Sequence, residues 1–239
     1  MSDDFSLDSG SIEETMLGPL WARATYSKLY PEILDEQQAI QIIEKLDYDF
    51  TNISIYLKEW RFLGLLVRAK SFDEAIKRYI EYYPDSTVVN IGSGLDTTFF
   101  RVDNGTIKWV NLDLSDAIKY CNQVISETSR SKNISKSAFD YSWMDEIDYK
   151  PENGIIFFAG GFVYYYEKKE IRNLLECMAN RFPGGEFIFE GISKLAIKVI
   201  NRRAKKAGVD IRVHYGIGNP TNEFSNWSKN IELIDWYTI

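Results

Sequence analysis

The chain has 239 residues, of which 45% are hydrophobic and 26% are charged, and its formal net charge is −7. That length and composition predict one sizeable globular core with a smaller attached subregion. The negative charge argues against a general affinity for nucleic acid or for anionic membranes, and it favours a small molecule as the partner.

The first 84 residues are predicted to form a helical cap that is integral to the domain. Asp35 is a candidate N-cap for one helix, and Ser71 with Glu74 forms a candidate capping box for another helix that ends before Pro84. A further helix is expected between them, over residues 57–68. The first of these helices has one apolar face, which is made of Ala39, Ile42, Ile43 and Leu46.

Residues 85–239 are predicted to form an α/β core in which strands alternate with helices, the pattern of a doubly wound, mainly parallel sheet. The predicted strands cover residues 87–91, 108–112, 135–139, 155–159 and 186–190. The predicted helices cover residues 115–128, 168–182 and 197–206, and a strand-like run at 231–239 comes last. Ligands of such sheets bind beyond the carboxyl ends of the strands.

A glycine turn follows the first predicted strand, in the run Val-Val-Asn-Ile-Gly-Ser-Gly-Leu-Asp at residues 88–96. Gly92 and Gly94 let the backbone turn tightly and approach a ligand closely. Asp113 lies about 20 residues further on, where a carboxylate accepts hydrogen bonds from both ribose hydroxyls of an adenosine-containing cofactor. Leu114 and Ser115 then border the adenosine, which belongs either to NAD or to S-adenosylmethionine.

Two residues of the turn distinguish these cofactors. Thr97 stands where the dinucleotide pattern has its third glycine, and the carboxylate of Asp96 would repel a pyrophosphate. S-adenosylmethionine carries an amino acid and a sulfonium in place of the pyrophosphate, so an acid beside the turn is compatible with its positive groups. The turn therefore favours this methyl donor, with Asp96 near its cationic part, over NAD.

The segment at residues 90–101, Asn-Ile-Gly-Ser-Gly-Leu-Asp-Thr-Thr-Phe-Phe-Arg, resembles the GSGLDTR-type signature of the leucine carboxyl methyltransferase family, especially its TcmP-like branch of polyketide O-methyltransferases. Four further segments resemble the family in the same order, at residues 22–24, 67–73, 160–165 and 181–186. The resemblance implies a class I, Rossmann-like methyltransferase fold with S-adenosylmethionine as its cofactor. It also implies a seventh strand, for which residues 211–215 are the candidate.

The resemblance further implies ligands for the two ends of the cofactor. At the adenine it places Asp140, whose carboxylate would accept from the exocyclic amine, and Tyr141, whose ring would lie against the base. From the residues alone, Asp140 is equally suited to cap the turn before Trp143. At the methionine end the resemblance places Arg68, whose guanidinium would pair with the carboxylate in two parallel hydrogen bonds. A helical arginine without such a partner usually belongs to a solvated face.

Three positions depart from the family's pattern. Gly160 stands where many members have a glutamate, so the backbone from Ala159 to Gly161 is expected to line the methionine part unaided. Thr98 stands at a position that is commonly arginine, and Tyr26 stands at one that is commonly glutamate. These changes predict weaker cofactor binding, with most of the site retained.

Methyl transfer is an in-line displacement, for which alignment and exclusion of water supply much of the acceleration. A carboxylate acceptor needs no general base, whereas a hydroxyl does. The one histidine, His214, has no acid–base partner that the sequence identifies, which favours a carboxyl or an acidic phenol as the acceptor. Arg23 is the candidate contact for an anionic acceptor, and Tyr165 is the candidate for orienting the acceptor or the methyl donor through its hydroxyl.

The remaining features predict a cytoplasmic protein. The first residues are acidic and lack the basic and apolar regions of a signal peptide, and the longest nearly apolar run, residues 154–166, is too short to cross a bilayer. Cys121 and Cys177 fall on predicted amphipathic helices, where reduced, buried thiols are expected. The sequence indicates no metal site, and it leaves the oligomeric state open, a homo-oligomer included.

The sequence thus predicts an S-adenosylmethionine-dependent O-methyltransferase that acts on a carboxyl or hydroxyl group of a small molecule. Two alternatives stay open. One is a protein carboxyl methyltransferase that acts on a C-terminal leucine, and the other is a cofactor-binding protein without transfer activity. A closed pocket under the helical cap would favour a small acceptor, and a long peptide groove would favour a protein.

Overall fold

The computed structural model describes residues 14–46, 48–51, 59–207, 212–224 and 227–238. Its helices are α1 (Glu14–Leu29), α2 (Gln37–Lys45), α3 (Glu59–Tyr82), α4 (Thr98–Val102), α5 (Ser115–Val124), α6 (Lys168–Arg181), α7 (Lys194–Ala207) and α8 (Pro220–Phe224). Its strands are β1 (Thr87–Ile91), β2 (Lys108–Asp113), β3 (Ser131–Ser135), β4 (Ile155–Ala159) and β5 (Glu186–Phe189). Short 3₁₀ helices cover Tyr141–Glu146, Pro151–Asn153 and Val163–Tyr165.

The five strands form one parallel sheet in the order β3-β2-β1-β4-β5. In the register of this sheet, Val89 of β1 lies between Val110 of β2 and Phe157 of β4. The chain runs outward from β1 to β3 and then returns to place β4 on the other side of β1, so the ligand-binding crevice of such a sheet is expected at the carboxyl ends of β1 and β4. The predicted doubly wound parallel sheet, with helices before it, is confirmed.

Successive residues of the central strands supply two hydrophobic clusters, because side chains alternate between the faces of a strand. Val89 belongs to a cluster that contains Leu174 of α6. Its neighbour Val88 belongs to another cluster, which contains Ile76 of α3. This covering of both faces explains why every residue of β1 and β4 is buried and why most of these residues are apolar.

The predicted strands differ in how well they match the structure. β1 and β4 have the predicted bounds, and β2 and β5 each differ by one residue at their carboxyl end. The prediction for the third strand was wrong, because β3 covers Ser131–Ser135 and not residues 135–139. β3 lies at the edge of the sheet and buries only Ile134, so its polar sequence carries little strand signal. Ala138, which lies in the range predicted as a strand, packs into the core from a turn.

The helices of the N-terminal region also correct two predictions. The side chain of Glu36, and not that of Asp35, caps α2 by accepting from the N–H of Ala39 at 3.4 Å. α3 continues through Ser71 for 24 residues, so the predicted capping box does not form. The Ser71 hydroxyl instead donates to the carbonyl of Val67, one turn earlier, at 2.9 Å. The predicted start of that helix, residue 57, lies outside the described residues.

The apolar face predicted for α2 is confirmed, and it joins the helical cap to the α/β core. Ile42 of α2 and Leu20 of α1 share a hydrophobic cluster with Leu95 of the glycine turn and Cys121 of α5. Cys121 is buried, Cys177 is partly buried, and both are free thiols. Burial raises the pKa of the Cys121 thiol to about 12, which keeps it protonated and unreactive.

The C-terminal region departs from expectation. α7 begins three residues earlier than predicted, and residues 231–238 form no strand. Of the candidate seventh strand, residue 211 lies outside the described part of the chain, and residues 212–215 are not in a strand. Among the described helices, none is long and apolar enough to cross a membrane. Over the same residues no group of three or more His, Cys, Asp or Glu side chains is arranged to hold a metal ion.

Candidate active site

The glycine turn after β1 forms the floor of the crevice. Gly92 and Gly94 have φ angles of +68° and +49°, in the left-handed region that side chains disfavour. A Cβ atom on Gly92 would lie 2.7 Å from the ring of Phe162, and one on Gly94 would lie 3.3 Å from the side chain of Met16. The φ angles and the close neighbouring side chains therefore both favour glycine at these positions. The absence of a Cβ atom on Gly92 lets the ring of Phe162 pack against the turn.

Asp113 ends β2 directly beside this turn. One of its carboxylate oxygens accepts from the N–H of Gly94 at 2.7 Å, and the other accepts from the N–H of Leu114 at 2.8 Å. Burial raises the pKa of the Asp113 carboxyl, and these two backbone donors offset part of the rise. Each oxygen keeps a second lone pair, so the carboxylate can still receive two hydroxyl groups. Leu114 and Ser115 are exposed beside it, at the start of α5.

The loop after β3 carries Asp140 and Tyr141. One carboxylate oxygen of Asp140 accepts from the N–H of Ser142 at 3.2 Å and from its hydroxyl at 2.8 Å, and this caps the 3₁₀ helix that begins at Tyr141. The capping interpretation is therefore correct. Asp140 is exposed and Tyr141 is partly buried against the core, so the adenine contacts stay a prediction.

The loop after β4 also contains two positions, Gly160 and Gly161, at which the structure favours glycine. Ala159 is fully buried, and Gly161 has a φ angle of +74°. A Cβ atom on Gly160 would lie 3.0 Å from the ring of Phe72 of α3, so a longer side chain would have to displace that ring. The packing of Phe72 thus gives a physical reason for glycine where many members of the family have glutamate.

Arg68 of α3 reaches this loop and pairs with Glu190, the residue after β5. Its Nη1 lies 2.8 Å from Oε2 of Glu190, and the N–H of Gly161 donates to the same oxygen at 3.0 Å. Burial lowers the pKa of the Arg68 guanidinium. Nearby charges, of which Glu190 has the largest effect, outweigh burial and leave this pKa above its ordinary value. Sequence reasoning missed Glu190, although an acid at the carboxyl end of a predicted parallel strand was a usable signal.

Tyr164 and Tyr165 lie together next to this ion pair, with ring centroids 4.8 Å apart. The Tyr164 hydroxyl lies close to Gly161, 3.4 Å from where a Cβ atom on that glycine would be. Burial raises the pKa of both phenols, so both are neutral and can donate a hydrogen bond. Tyr165 is 41% exposed and Tyr166 packs against Phe139 and Phe162.

Arg23 is buried in a cluster of charges between the cap and the glycine turn. It donates to Glu36 at 3.2 Å and to the carbonyl of Leu95 at 3.0 Å. Arg101 also pairs with Glu36, and it forms two hydrogen bonds with Asp73, at 2.7 and 2.9 Å. These contacts give Arg23 a structural role in holding the turn, and a contact with an acceptor stays a prediction.

Asp96 follows the turn and is influenced by the same cluster. Although burial raises the pKa of the Asp96 carboxyl, the charges of Arg23 and Arg101 hold it below the ordinary value. Asp96 also accepts from the N–H of Thr98, which is the position commonly occupied by arginine in the family. Asp96 is thus an ionised carboxylate, and it accepts from the first N–H of α4.

His214 has a partner that the sequence did not identify. Its Nδ1 lies 2.8 Å from a carboxylate oxygen of Glu167, the residue that caps α6. The backbone N–H of His214 donates to the carbonyl of Tyr164 at 2.8 Å, which brings the histidine to the end of the sheet that carries the crevice. The sequence could not identify this partner, because Glu167 and His214 meet only in the fold.

Comparison with named proteins gives two relatives. The chain is 26% identical over 211 residues to the tetracenomycin polyketide synthesis O-methyltransferase TcmP of Streptomyces glaucescens, over 87% of this chain and 76% of that protein. It is 23% identical over 218 residues to the S-adenosyl-L-methionine-dependent methyltransferase dpfgK of Gibberella zeae, over 82% of this chain and 73% of that protein.

Among solved structures, an O-methyltransferase family protein from Burkholderia thailandensis has a TM-score of 0.49 and 11% identity, over 89% of this chain and 66% of that one. The family model of leucine carboxyl methyltransferases matches residues 19–179, which is more than half of the chain. The matched region contains the glycine turn, Asp113 and Arg68. The chain, with its glycine turn at the carboxyl end of a parallel sheet, therefore belongs to the leucine carboxyl methyltransferase family.

Proposed function

We propose that the protein is an O-methyltransferase that binds S-adenosylmethionine and transfers its methyl group to a carboxyl or hydroxyl group of a small molecule. The observation that carries the proposal is the junction of Asp113 with the glycine turn, where the carboxylate accepts from the N–H of Gly94 at 2.7 Å. The O-methyltransferase named TcmP, which aligns with 87% of the chain, supports oxygen as the methylated atom.

The residues around the crevice fit the cofactor. Gly92 and Gly94 hold the tight turn through left-handed φ angles, with Phe162 and Met16 packed where their Cβ atoms would lie. The hydroxyl of Ser93 in the same turn is buried and has no hydrogen-bond partner among the described residues, a state that is costly without a ligand or water. Asp113 would hold the ribose, Asp140 and Tyr141 would hold the adenine, and Arg68 would hold the methionine carboxylate.

The protein's part in the reaction is mainly to bind, orient and exclude water. When bound, the cofactor supplies a methyl group that its sulfonium has already activated. Tyr165 orients the reacting groups through a neutral hydroxyl, so that alignment of these groups supplies the acceleration. A carboxylate acceptor needs no base, whereas for a hydroxyl acceptor His214, held by Glu167, is the available base.

Titration calorimetry with S-adenosylmethionine and with NAD tests the cofactor. We expect the first to bind and the second not to bind, because Thr97 replaces the third glycine and Asp96 is ionised beside the turn. NAD binding of comparable strength would overturn the proposal.

A transfer assay with a labelled methyl group tests the reaction. The acceptors are small carboxylic acids, phenols and a protein that ends in leucine. We expect label on a small molecule. Label on the protein alone would support the protein methyltransferase, and cofactor binding without transfer to any acceptor would support a binding protein.

A further inference from the structure

Two donors of different origin converge on one oxygen of Glu190. Nη1 of Arg68 lies 2.8 Å from Oε2, and the backbone N–H of Gly161 lies 3.0 Å from the same atom. The side chains of Arg68 and Glu190 are 17% and 27% exposed, so both are largely shielded but still reachable from the crevice. The carboxylate is thus fixed in place through a single oxygen.

The remaining polar atoms of this pair are available to a ligand. Within the described part of the chain, Nη2 and Nε of Arg68 and Oε1 of Glu190 have no hydrogen bond to protein. One fixed cation and one fixed anion therefore lie side by side, at the carboxyl ends of β4 and β5. A free α-amino acid group carries the complementary pair of charges, because its carboxylate suits a guanidinium and its ammonium suits a carboxylate.

The loop after β4 has little room for a side chain at residue 160. The ring of Phe72 occupies the space beside Gly160, where a Cβ atom would lie 3.0 Å from it. A glutamate at residue 160 would have to push this ring aside. Glu190 reaches the same loop from the neighbouring strand and bonds the N–H of Gly161.

We propose that Glu190 binds the ammonium group of the methionine part of S-adenosylmethionine, and so supplies from β5 the carboxylate that residue 160 lacks. The inference rests on the proposed function, because it assigns a residue of the same cofactor site. Arg68 and Glu190 together then recognise both charges of the amino acid, and Glu190 also holds one side of the Arg68 guanidinium.

Three ligands separate the two charges in a calorimetric experiment. S-adenosylmethionine has the ammonium and the carboxylate, its decarboxylated form keeps only the amine, and methylthioadenosine has neither. We expect Glu190→Gln to weaken binding of the first two by about 10- to 100-fold, the scale of a charge-assisted hydrogen bond, and to leave methylthioadenosine within about twofold. Arg68→Lys should weaken S-adenosylmethionine and spare the decarboxylated form.

Matched variants control for changes of fold. Glu186→Gln changes the same residue type at the other end of β5 and should leave all three affinities unchanged. Circular dichroism checks that each variant is folded. If Glu190→Gln does not fold, Glu190→Asp keeps the charge but shortens the side chain, and it should still weaken both amine-bearing ligands selectively.

Each other outcome overturns the inference. Equal losses for all three ligands would mean that Glu190 only shapes the pocket, and no loss for any would place it outside the site. A loss for S-adenosylmethionine but not for its decarboxylated form would mean that Glu190 acts only by holding Arg68. If the unsubstituted protein binds none of the three, the proposed function itself fails, and the inference fails with it.

Discussion

The carboxylate of Asp113 has a backbone donor on each of its oxygens and limited contact with water. These donors fix its orientation before any ligand arrives, so the proposed ribose contact would meet acceptors that are already in place. Burial raises the pKa of Asp113 because removal from water disfavours the charged form. A carboxylate that is partly removed from water is stabilised by each further hydroxyl group that donates a hydrogen bond to it.

Replacement of this carboxylate should weaken cofactor binding in a folded protein. We expect Asp113→Ala to reduce the binding free energy of S-adenosylmethionine by about 1 to 3 kcal/mol, the scale of charge-assisted hydrogen bonds. Titration calorimetry measures the change. Asp116→Ala, in the exposed first turn of α5, is the matched control and should have no effect. An unchanged dissociation constant for Asp113→Ala would remove this residue from the site.

The raised pKa of Asp113 also predicts how binding depends on pH. In the proposed site the ionised form would accept both ribose hydroxyls, so we expect full affinity above this pKa and a fall in affinity as the pH drops through it. Because burial raises the pKa above the ordinary 3.8, we expect the fall to begin at a higher pH than for a solvated aspartate. Dissociation constants measured from about pH 7 to about pH 4 would show this. The difference from Asp113→Asn isolates this residue, and parallel profiles would contradict the prediction.

At the scale of an element, the turn between β1 and α4 combines a strained backbone with a close contact. Gly92 has a φ angle of +68° and faces the ring of Phe162, so two separate costs would oppose a side chain there. Gly184, between α6 and β5, has a φ angle of +79° but has open space around it. The two glycines therefore separate the cost of backbone strain from that of the contact.

We expect Gly184→Ala to lower the free energy of unfolding by about 1 to 2 kcal/mol, the cost of left-handed backbone. Gly92→Ala should cost about 1 to 3 kcal/mol more, because the new methyl group must displace the Phe162 ring. Urea denaturation gives both values, and calorimetry should show weaker S-adenosylmethionine binding for Gly92→Ala alone. Equal losses of stability would show that the ring moves aside freely.

At the scale of the whole molecule, the cap and the core meet in a buried cluster of charges. Glu36 is fully buried and accepts from Arg23 of α1, Arg101 of α4 and the hydroxyl of Thr97. A buried carboxylate with this many donors is satisfied, but removal of its charge leaves the arginines poorly compensated. The cluster thus makes the attachment of the cap depend on one acid.

We expect Glu36→Gln to lower the free energy of unfolding by about 3 kcal/mol, at the low end for a broken buried pair because Asp73 still pairs with Arg101. Glu44→Gln removes an exposed pair with Lys28 and should cost about 0 to 1 kcal/mol. Chemical denaturation of the two variants provides the comparison. Similar midpoints would show that the buried cluster adds no more stability than a surface pair.

The sequence was most informative where structure depends on neighbours in the chain. The glycine turn, Asp113 and the buried strands β1 and β4 were predicted, since each has a local pattern of residue types. The prediction misplaced the third strand because an edge strand needs few apolar residues. It divided α3 into two helices because Ser71 is a residue type that often caps helices, whereas in the fold its hydroxyl donates to a carbonyl within one continuous helix.

The contacts that the sequence did not predict join distant parts of the chain. Glu190 meets Arg68 across 122 residues, and His214 meets Glu167 across 47 residues. No spacing rule relates such pairs, since the order of strands in the sheet brings them together. For the same reason the sequence did not predict that Arg23 bonds Glu36 and the carbonyl of Leu95, because its burial between the cap and the turn follows from packing alone.

Arg23 donates both to Glu36 beside α2 and to the carbonyl of Leu95 in the glycine turn, so the cap and the turn share one hydrogen-bonded cluster. Thermodynamic linkage then applies in both directions. A ligand that favours one geometry of the turn must stabilise the matching geometry of the cap by the same coupling free energy. Slower hydrogen exchange in α2 on cofactor binding, and weaker binding when α2 is loosened, are two measurements of that single quantity.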